Sequence, residues 1–169
     1  MWRDPWLEPI SCACFDLGCA SLVNQVSSRQ NQTVSQPVEN QLPKLYDRIG
    51  AAKLRAIIQA FYPLVKANPL LSDLFPEELS ETMNKQEAFL TGFLGGPPLY
   101  HRYYGNPMLR ARHLKFEITP ARARAWFECF SDASSVANLE PRVRQELLEA
   151  VARMAAHMVN APEPDSASL

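Results

Sequence analysis

The chain has 169 residues, a mass of 19.0 kDa, 47% hydrophobic residues and a formal net charge of −1. This length suffices for one domain with a substantial core and is too short for two well-formed domains. The near-neutral charge argues against nucleic acid or an anionic membrane as the main partner. No apolar run reaches the roughly 18 residues of a membrane-spanning helix, so no such helix is predicted.

Residues 1–44 are predicted to form a disordered N-terminal extension. Half of the residues from Ala20 to Pro43 are Ser, Asn or Gln, a composition that buries too little apolar surface to offset chain entropy. Cys12, Cys14 and Cys19 could be three ligands of a zinc or iron–sulfur site, a thiol switch, or free thiols. Their spacing matches no standard ligand pattern, which favours free thiols. Acidic residues interrupt any secretory signal, so a cytoplasmic location is predicted.

The segment from 45 to 160 is predicted to be an all-α domain, followed by a flexible tail over 161–169. Apolar residues recur there at intervals of three and four. The first long stripe runs from Leu54 to Val65 and ends before Asn68-Pro69. The second, from Leu79 to Leu94, opens near Pro76 and stops at a Gly-Gly-Pro-Pro sequence.

Three more helices are predicted in the second half of the chain. A short helix follows Pro107 and runs to about His113. Thr119 is a predicted N-cap before Pro120, at the start of a long helix that contains Trp126. The last helix begins at Pro141 and carries an apolar stripe to its end.

The stretch between Gly95 and Thr119 contains little predicted helix and is rich in aromatic and basic residues. Connections of this length inside a compact domain are usually functional. An apolar ligand with anionic edges would satisfy both kinds of residue.

Polar groups interrupt the apolar stripes at three positions. Gln86 stands among apolar residues, and a polar side chain buried without a partner costs about 1 to 3 kcal/mol. Tyr62 and Trp126 each carry a donor on a large apolar body. Any one of the three is best explained as a core residue with a local hydrogen bond, whereas all three together, with a histidine, indicate a ligand site.

Tyr62, His113 and Trp126 lie in strings that resemble those of group II truncated haemoglobins. The resemblance covers residues 45–160 in order and rests on the following segments: Leu45-Tyr46-Asp47-Arg48-Ile49-Gly50, Phe61-Tyr62, Leu94-Gly95-Gly96-Pro97-Pro98-Leu99-Tyr100, Leu109-Arg110-Ala111-Arg112-His113-Leu114, Ala125-Trp126 and His157-Met158-Val159-Asn160. It implies a truncated globin fold, a two-over-two helical sandwich, that binds haem b.

The resemblance also implies roles for individual residues. His113 matches the proximal histidine that ligates the iron. The positions expected to hydrogen-bond a ligand on the distal side of the haem are Tyr62, Thr82, Gln86 and Trp126. Pro63 follows Tyr62 inside a predicted helix, where proline removes a backbone hydrogen bond and commonly kinks the chain, so the direction of Tyr62 is left open.

Further residues are expected to hold the macrocycle. Arg112 and Lys85 match positions that pair with the propionates, and Arg110 is a weaker third candidate. The apolar walls are expected to come from Phe75, Phe89, Phe93, Leu90, Leu114, Phe116 and Ile118.

Three functions are compatible with these residues. The first is reversible binding of dioxygen or another diatomic ligand at the haem. The second is a haem-dependent peroxidase or nitric oxide dioxygenase, which would need a separate reductase, since the chain has no Gly-rich dinucleotide fingerprint. The third is a cofactor-free helical interaction module. The oligomeric state is left open.

Overall fold

The computed structural model describes residues 43–163, and these fold into seven α-helices and two 3₁₀ turns, without a β-strand in that range. The 3₁₀ turns cover Ser72–Leu74 and Ser135–Ala137. The helices are α1 (Leu45–Ile49), α2 (Ala51–Ala67), α3 (Ser80–Phe93), α4 (Leu99–Tyr104), α5 (Leu109–His113), α6 (Pro120–Ser134) and α7 (Pro141–Met158).

The four long helices form two pairs, α2 with α3 and α6 with α7. The closest packing between the pairs is that of α2 on α6. The short helices α4 and α5 lie in the connection between α3 and α6, and α5 also contacts α7. This arrangement is the all-α, two-over-two sandwich predicted from the sequence.

The core lies where α2 meets α6. Phe61 is fully buried, with its ring edge-on to Trp126 at 5.1 Å and to Phe130 at 5.8 Å between centroids. Edge-to-face contacts at these separations favour one arrangement of the rings beyond simple area burial. The predicted stripe of α2 is buried along its length, from Leu54 to Val65.

Local sequence signals explain several helix ends. The Thr119 hydroxyl accepts the Arg122 backbone N–H at 3.2 Å, and Pro120 occupies the first turn of α6, as predicted. The turn after α3 requires glycine at position 96. A Cβ there would lie 2.6 Å from the Tyr46 ring and 2.8 Å from the Thr91 carbonyl oxygen.

Helix α2 continues through Pro63 to Ala67. Pro63 and Gln59 are both solvent-exposed, so water can reach the carbonyl that the missing N–H leaves without its helical partner. Tyr62 remains in the helix and is buried, with 1% of its surface exposed. The proline therefore does not turn this side chain out of the protein.

Two elements differ from the predicted ones. Helix α4 was not predicted, because six residues are too few to show a helical period. Helix α3 begins at Ser80 rather than directly after Pro76, since the Glu78 carboxylate accepts the Ser80 backbone N–H at 2.7 Å at the helix start.

Other predictions concern residues that the structure does not describe. Cys12, Cys14 and Cys19, most of the extension over 1–44 and most of the tail over 161–169 lie outside the described range. Within residues 43–163, none of the helices combines the length and apolar character needed to cross a bilayer.

Candidate functional site

A largely apolar cavity of about 430 Å³ lies among all the helices except α1. Its volume is in the range of about 300 to 1,000 Å³ that is typical of small-molecule and cofactor sites. The cavity brings together residues far apart in sequence, from Tyr62 on α2 to Met158 at the end of α7.

His113 is the last residue of α5, and its ring lies on the cavity wall. Its Nδ1 is 2.7 Å from the Leu109 carbonyl oxygen, one helical turn earlier. Since a carbonyl only accepts, Nδ1 carries a proton in this contact, and in the neutral ring the free lone pair is then on Nε2. A neutral imidazole in this tautomer is a common metal ligand.

The buried Tyr62 and the partly buried Gln86 form a polar pair on another part of the wall. The Tyr62 hydroxyl donates to Oε1 of Gln86. Burial raises the pKa of the Tyr62 phenol well above its ordinary value, so the phenol keeps its proton at physiological pH. The hydrogen bond orients the carboxamide, and both side chains line the cavity.

The Nε2 group of Gln86 lacks an acceptor. Among the described residues it is the single buried side-chain nitrogen or oxygen without a hydrogen-bond partner. Leaving such a donor unpaired costs about 1 to 3 kcal/mol. A buried donor of this kind in a cavity wall fits a ligand that supplies an acceptor atom.

Trp126 and Thr82 complete the predicted distal group. Trp126 lies on α6, stacked on Phe130 at 5.7 Å with 12° between the ring planes, and its indole lines the cavity. Thr82 precedes Gln86 by one turn of α3 and also lines the cavity. All four predicted distal residues therefore reach the same cavity from three helices.

Basic side chains line part of the wall. Lys85 pairs with Glu81 at 2.5 Å and lies 5.8 Å above the centre of the Tyr104 ring. Arg112 donates from Nε to the Pro107 carbonyl oxygen at 2.9 Å. Both line the cavity, and their pairing with propionates stays a prediction.

Most of the predicted apolar wall residues also line the cavity, namely Phe75, Phe89, Leu90, Phe116 and Ile118.

Three residues predicted to contact the macrocycle or its propionates do not line this cavity. Phe93 is 43% exposed and lines a separate surface cleft, together with Leu94 and Ala150 of α7. Leu114 is 60% exposed and lies outside the cavity wall. Arg110 donates to the backbone carbonyls of His157 and Val159, so its guanidinium is directed to the end of α7 instead of the cavity.

The sequence analysis missed other lining residues. Tyr100 lies on the unpredicted helix α4. Arg122 pairs with Asp73 at 2.8 Å and forms part of the wall. Met154 and Met158 belong to the apolar stripe of the last helix and also line the cavity, since an apolar stripe cannot distinguish a core position from a cavity wall.

The residues present fit haem. They provide an imidazole nitrogen for iron, apolar and aromatic walls for a flat macrocycle, and cations suited to acidic edges. The unpartnered amide of Gln86 fits a small ligand that supplies an acceptor atom. A helical sandwich with such a cavity defines a globin-type haem protein.

Comparison with known proteins supports this class. The profile of the bacterial-like globin family matches residues 44–160. A group 2 truncated haemoglobin of Bacillus subtilis, YjbI, is 46% identical over 123 residues, which cover 73% of this chain and 93% of that protein.

Solved structures give the same result. The group II truncated haemoglobin of Bacillus anthracis is 42% identical, with a TM-score of 0.71, over 75% of this chain and 98% of that one. A truncated oxygen-avid haemoglobin from Bacillus subtilis is 47% identical, with a TM-score of 0.67, over 70% of this chain and all of that one.

The chain belongs to the bacterial-like globin family, and within it to the group II truncated haemoglobins. Membership implies haem-based binding of small diatomic ligands. It therefore favours the haem interpretations over a cofactor-free interaction module.

Proposed function

We propose that this protein binds haem b in the cavity through Nε2 of His113 and reversibly binds dioxygen there. The tautomer of His113 supports the first part, because the Leu109 carbonyl takes the Nδ1 proton and leaves Nε2 to the metal. Such hydrogen bonding by a ligating histidine also fixes the ring and raises its basicity.

Lys85 and Arg112 bind the propionates in this proposal. Both cations are on the cavity wall, and the Nε contact of Arg112 with Pro107 fixes the direction of its guanidinium. The side chains of Phe75, Phe89, Leu90 and Phe116 hold the faces of the macrocycle by apolar contact.

The observation that carries the proposal is the unpartnered Nε2 group of Gln86. When bound, haem would supply an iron centre for a diatomic ligand that carries partial negative charge. The Gln86 amide would be available to donate a hydrogen bond to such a ligand, while Tyr62 holds the carboxamide in position through Oε1. Trp126 adds an indole N–H on the same wall, and Thr82 adds a hydroxyl.

The same donors could polarise the O–O bond of peroxide, so the peroxidase and nitric oxide dioxygenase alternatives stay predictions, as do a separate reductase and a cytoplasmic location. Dioxygen binding is the function that needs the fewest additional components.

The test is reconstitution of the purified full-length protein with hemin, followed by visible spectroscopy before and after reduction and exposure to oxygen. We expect a histidine-ligated spectrum in the native protein and its loss in His113→Ala. The matched control is His101→Ala, because His101 is exposed and lies outside the cavity wall. An unchanged spectrum of free hemin with the native protein, or equal spectra for both variants, would refute the proposal.

A further inference from the structure

The segment between α5 and α6 is held by one side chain from the far end of the chain. Nδ2 of Asn160 donates to the His113 carbonyl oxygen at 3.1 Å and to the Phe116 carbonyl oxygen at 2.9 Å. Its Oδ1 accepts the Ile118 backbone N–H at 3.0 Å. The Asn160 backbone N–H in turn donates to the Ile118 carbonyl oxygen at 3.0 Å.

Asn160 is itself firmly placed. It follows α7 by two residues, and α7 is fixed in the core by fully buried side chains at Leu147 and Val151. The side chain of Asn160 therefore transmits the position of α7 to the segment that follows His113.

Helix α5 cannot set the position of His113 by itself. It has five residues, none of them buried. An isolated helix shorter than about 12 residues is marginally stable in water, because the conformational entropy lost in forming the first turn exceeds the free energy gained from its hydrogen bond. The residue before it, Met108, also has a positive φ of 39°, an uncommon conformation for a side chain of this size.

A second contact ties α5 to the same place. Arg110 donates to the carbonyls of His157 and Val159 at the end of α7. Arg110 therefore holds the backbone before His113, and Asn160 holds the backbone from His113 to Phe116. Asn160 acts closer to the imidazole, since it binds the carbonyl of His113 itself.

We propose that Asn160 is a positioning residue that holds the His113 imidazole at the height and orientation required to ligate iron. The proposal rests on the proposed role of His113 and adds how a five-residue helix keeps that ligand in place. Removing Asn160 lets the backbone at His113 shift, lengthens the Nδ1 contact with Leu109 and weakens the bond from Nε2 to the metal.

The test compares Asn160→Ala and Asn160→Asp in the haem-loaded, full-length protein. Alanine removes both the Nδ2 donor and the Oδ1 acceptor of the side chain. Aspartate keeps the shape and the acceptor for Ile118, but places a carboxylate oxygen, which cannot donate, against two carbonyl oxygens. Asn84→Ala is the matched control, because Asn84 is an exposed residue of α3 outside the cavity wall.

Three measurements follow the effect. Hemin transfer to an excess of a haem-free acceptor protein should be about tenfold faster in Asn160→Ala, the change expected from losing hydrogen bonds of ordinary strength. Resonance Raman spectra of the reduced protein should show a lower iron–histidine stretching frequency. Amide hydrogen exchange at Ile118 should accelerate in Asn160→Ala, because this N–H loses its acceptor. Hemin transfer in Asn160→Asp should be at least as fast as in Asn160→Ala, because the carboxylate repels the two carbonyl oxygens.

The outcomes separate this proposal from the one on which it rests. If the native protein binds hemin through His113 but both Asn160 variants keep the native stretching frequency and transfer rate, the positioning role is wrong. The same holds if Asn160→Asp behaves like the native protein, since the donated hydrogen bonds would then be dispensable. If a variant unfolds, the other variant supplies the comparison at a temperature at which it is folded. Failure of the native protein to form an iron–histidine band overturns the proposed function first.

Discussion

The hydrogen bond between Tyr62 and Gln86 predicts that substitutions at the two positions are strongly non-additive. Tyr62→Phe keeps the ring and its edge contacts with Phe61 at 5.1 Å and Phe75 at 6.0 Å. It removes only the hydroxyl that donates to Oε1, so the buried carboxamide loses this donor while its Nε2 already lacks an acceptor. We expect a loss of about 1 to 3 kcal/mol of unfolding free energy in the apoprotein, the cost of an unsatisfied buried group.

The second half of the cycle removes the carboxamide. Gln86→Leu leaves the Tyr62 hydroxyl without its acceptor but also removes the unpartnered Nε2. We therefore expect Gln86→Leu to lose less unfolding free energy than Tyr62→Phe. The double variant replaces both polar partners with apolar groups of similar shape and should lie close to the native stability. The coupling free energy is therefore expected to be about 1 to 3 kcal/mol.

Urea unfolding of the four proteins, followed by circular dichroism, measures this coupling. The haem-loaded proteins give a second measurement, because Gln86→Leu should accelerate dioxygen dissociation in stopped-flow mixing by about tenfold or more, the loss of one charge-assisted hydrogen bond. Two single-variant costs that simply add in the double variant would refute the pairing. An unaltered dissociation rate in Gln86→Leu would refute the assignment of Nε2 as a ligand donor.

Three other predictions test different parts of the protein. Trp126→Phe keeps an aromatic ring but removes the indole N–H, so stopped-flow mixing should show faster dioxygen dissociation, and an unchanged rate would exclude the indole as a donor. Gly96→Ala should lower the unfolding free energy by about 1 to 3 kcal/mol through overpacking, as measured in the same urea assay. Gly92→Ala is the control and should not be destabilising, because its Cβ would lie 3.5 Å from its nearest neighbour, an ordinary contact distance. The hydrogen bond from Arg48 lowers the pKa of Glu146. The ionised carboxylate therefore stabilises the protein above its ordinary pKa, and this stabilisation is lost as the pH falls through the lowered value. Between about pH 6 and about pH 3, Glu146→Gln should lose less stability than the native protein, and equal losses would contradict this linkage.

Much of the helical framework was predictable because its signals are local. The stripe of α2, the capping Thr119 and the glycine–proline stop after α3 each depend on residues within a few positions of one another. Gln86 was recognisable because it breaks the apolar pattern of its own helix, whereas the distal roles of Tyr62, Thr82 and Trp126 followed from the family resemblance.

The sequence could not predict features that depend on distant partners. Phe93 follows Phe89 by one helical turn, and only the packed structure shows that Phe89 lines the cavity while Phe93 lines a separate cleft. Arg110 and Arg112 stand two residues apart in one basic string, yet the first binds the end of α7 and the second lines the cavity.

The sequence by itself determined the class of fold, the order of the main helices and the family, because hydrophobic period, capping and family motifs are written in consecutive residues. The tertiary structure decided that the Tyr62 hydroxyl binds Gln86 and leaves one amide donor unpaired in the cavity. It also decided that Asn160, 47 positions beyond His113, holds the backbone of that histidine. Side-chain contacts of this range arise only when packed helices bring distant residues together, which no local pattern encodes.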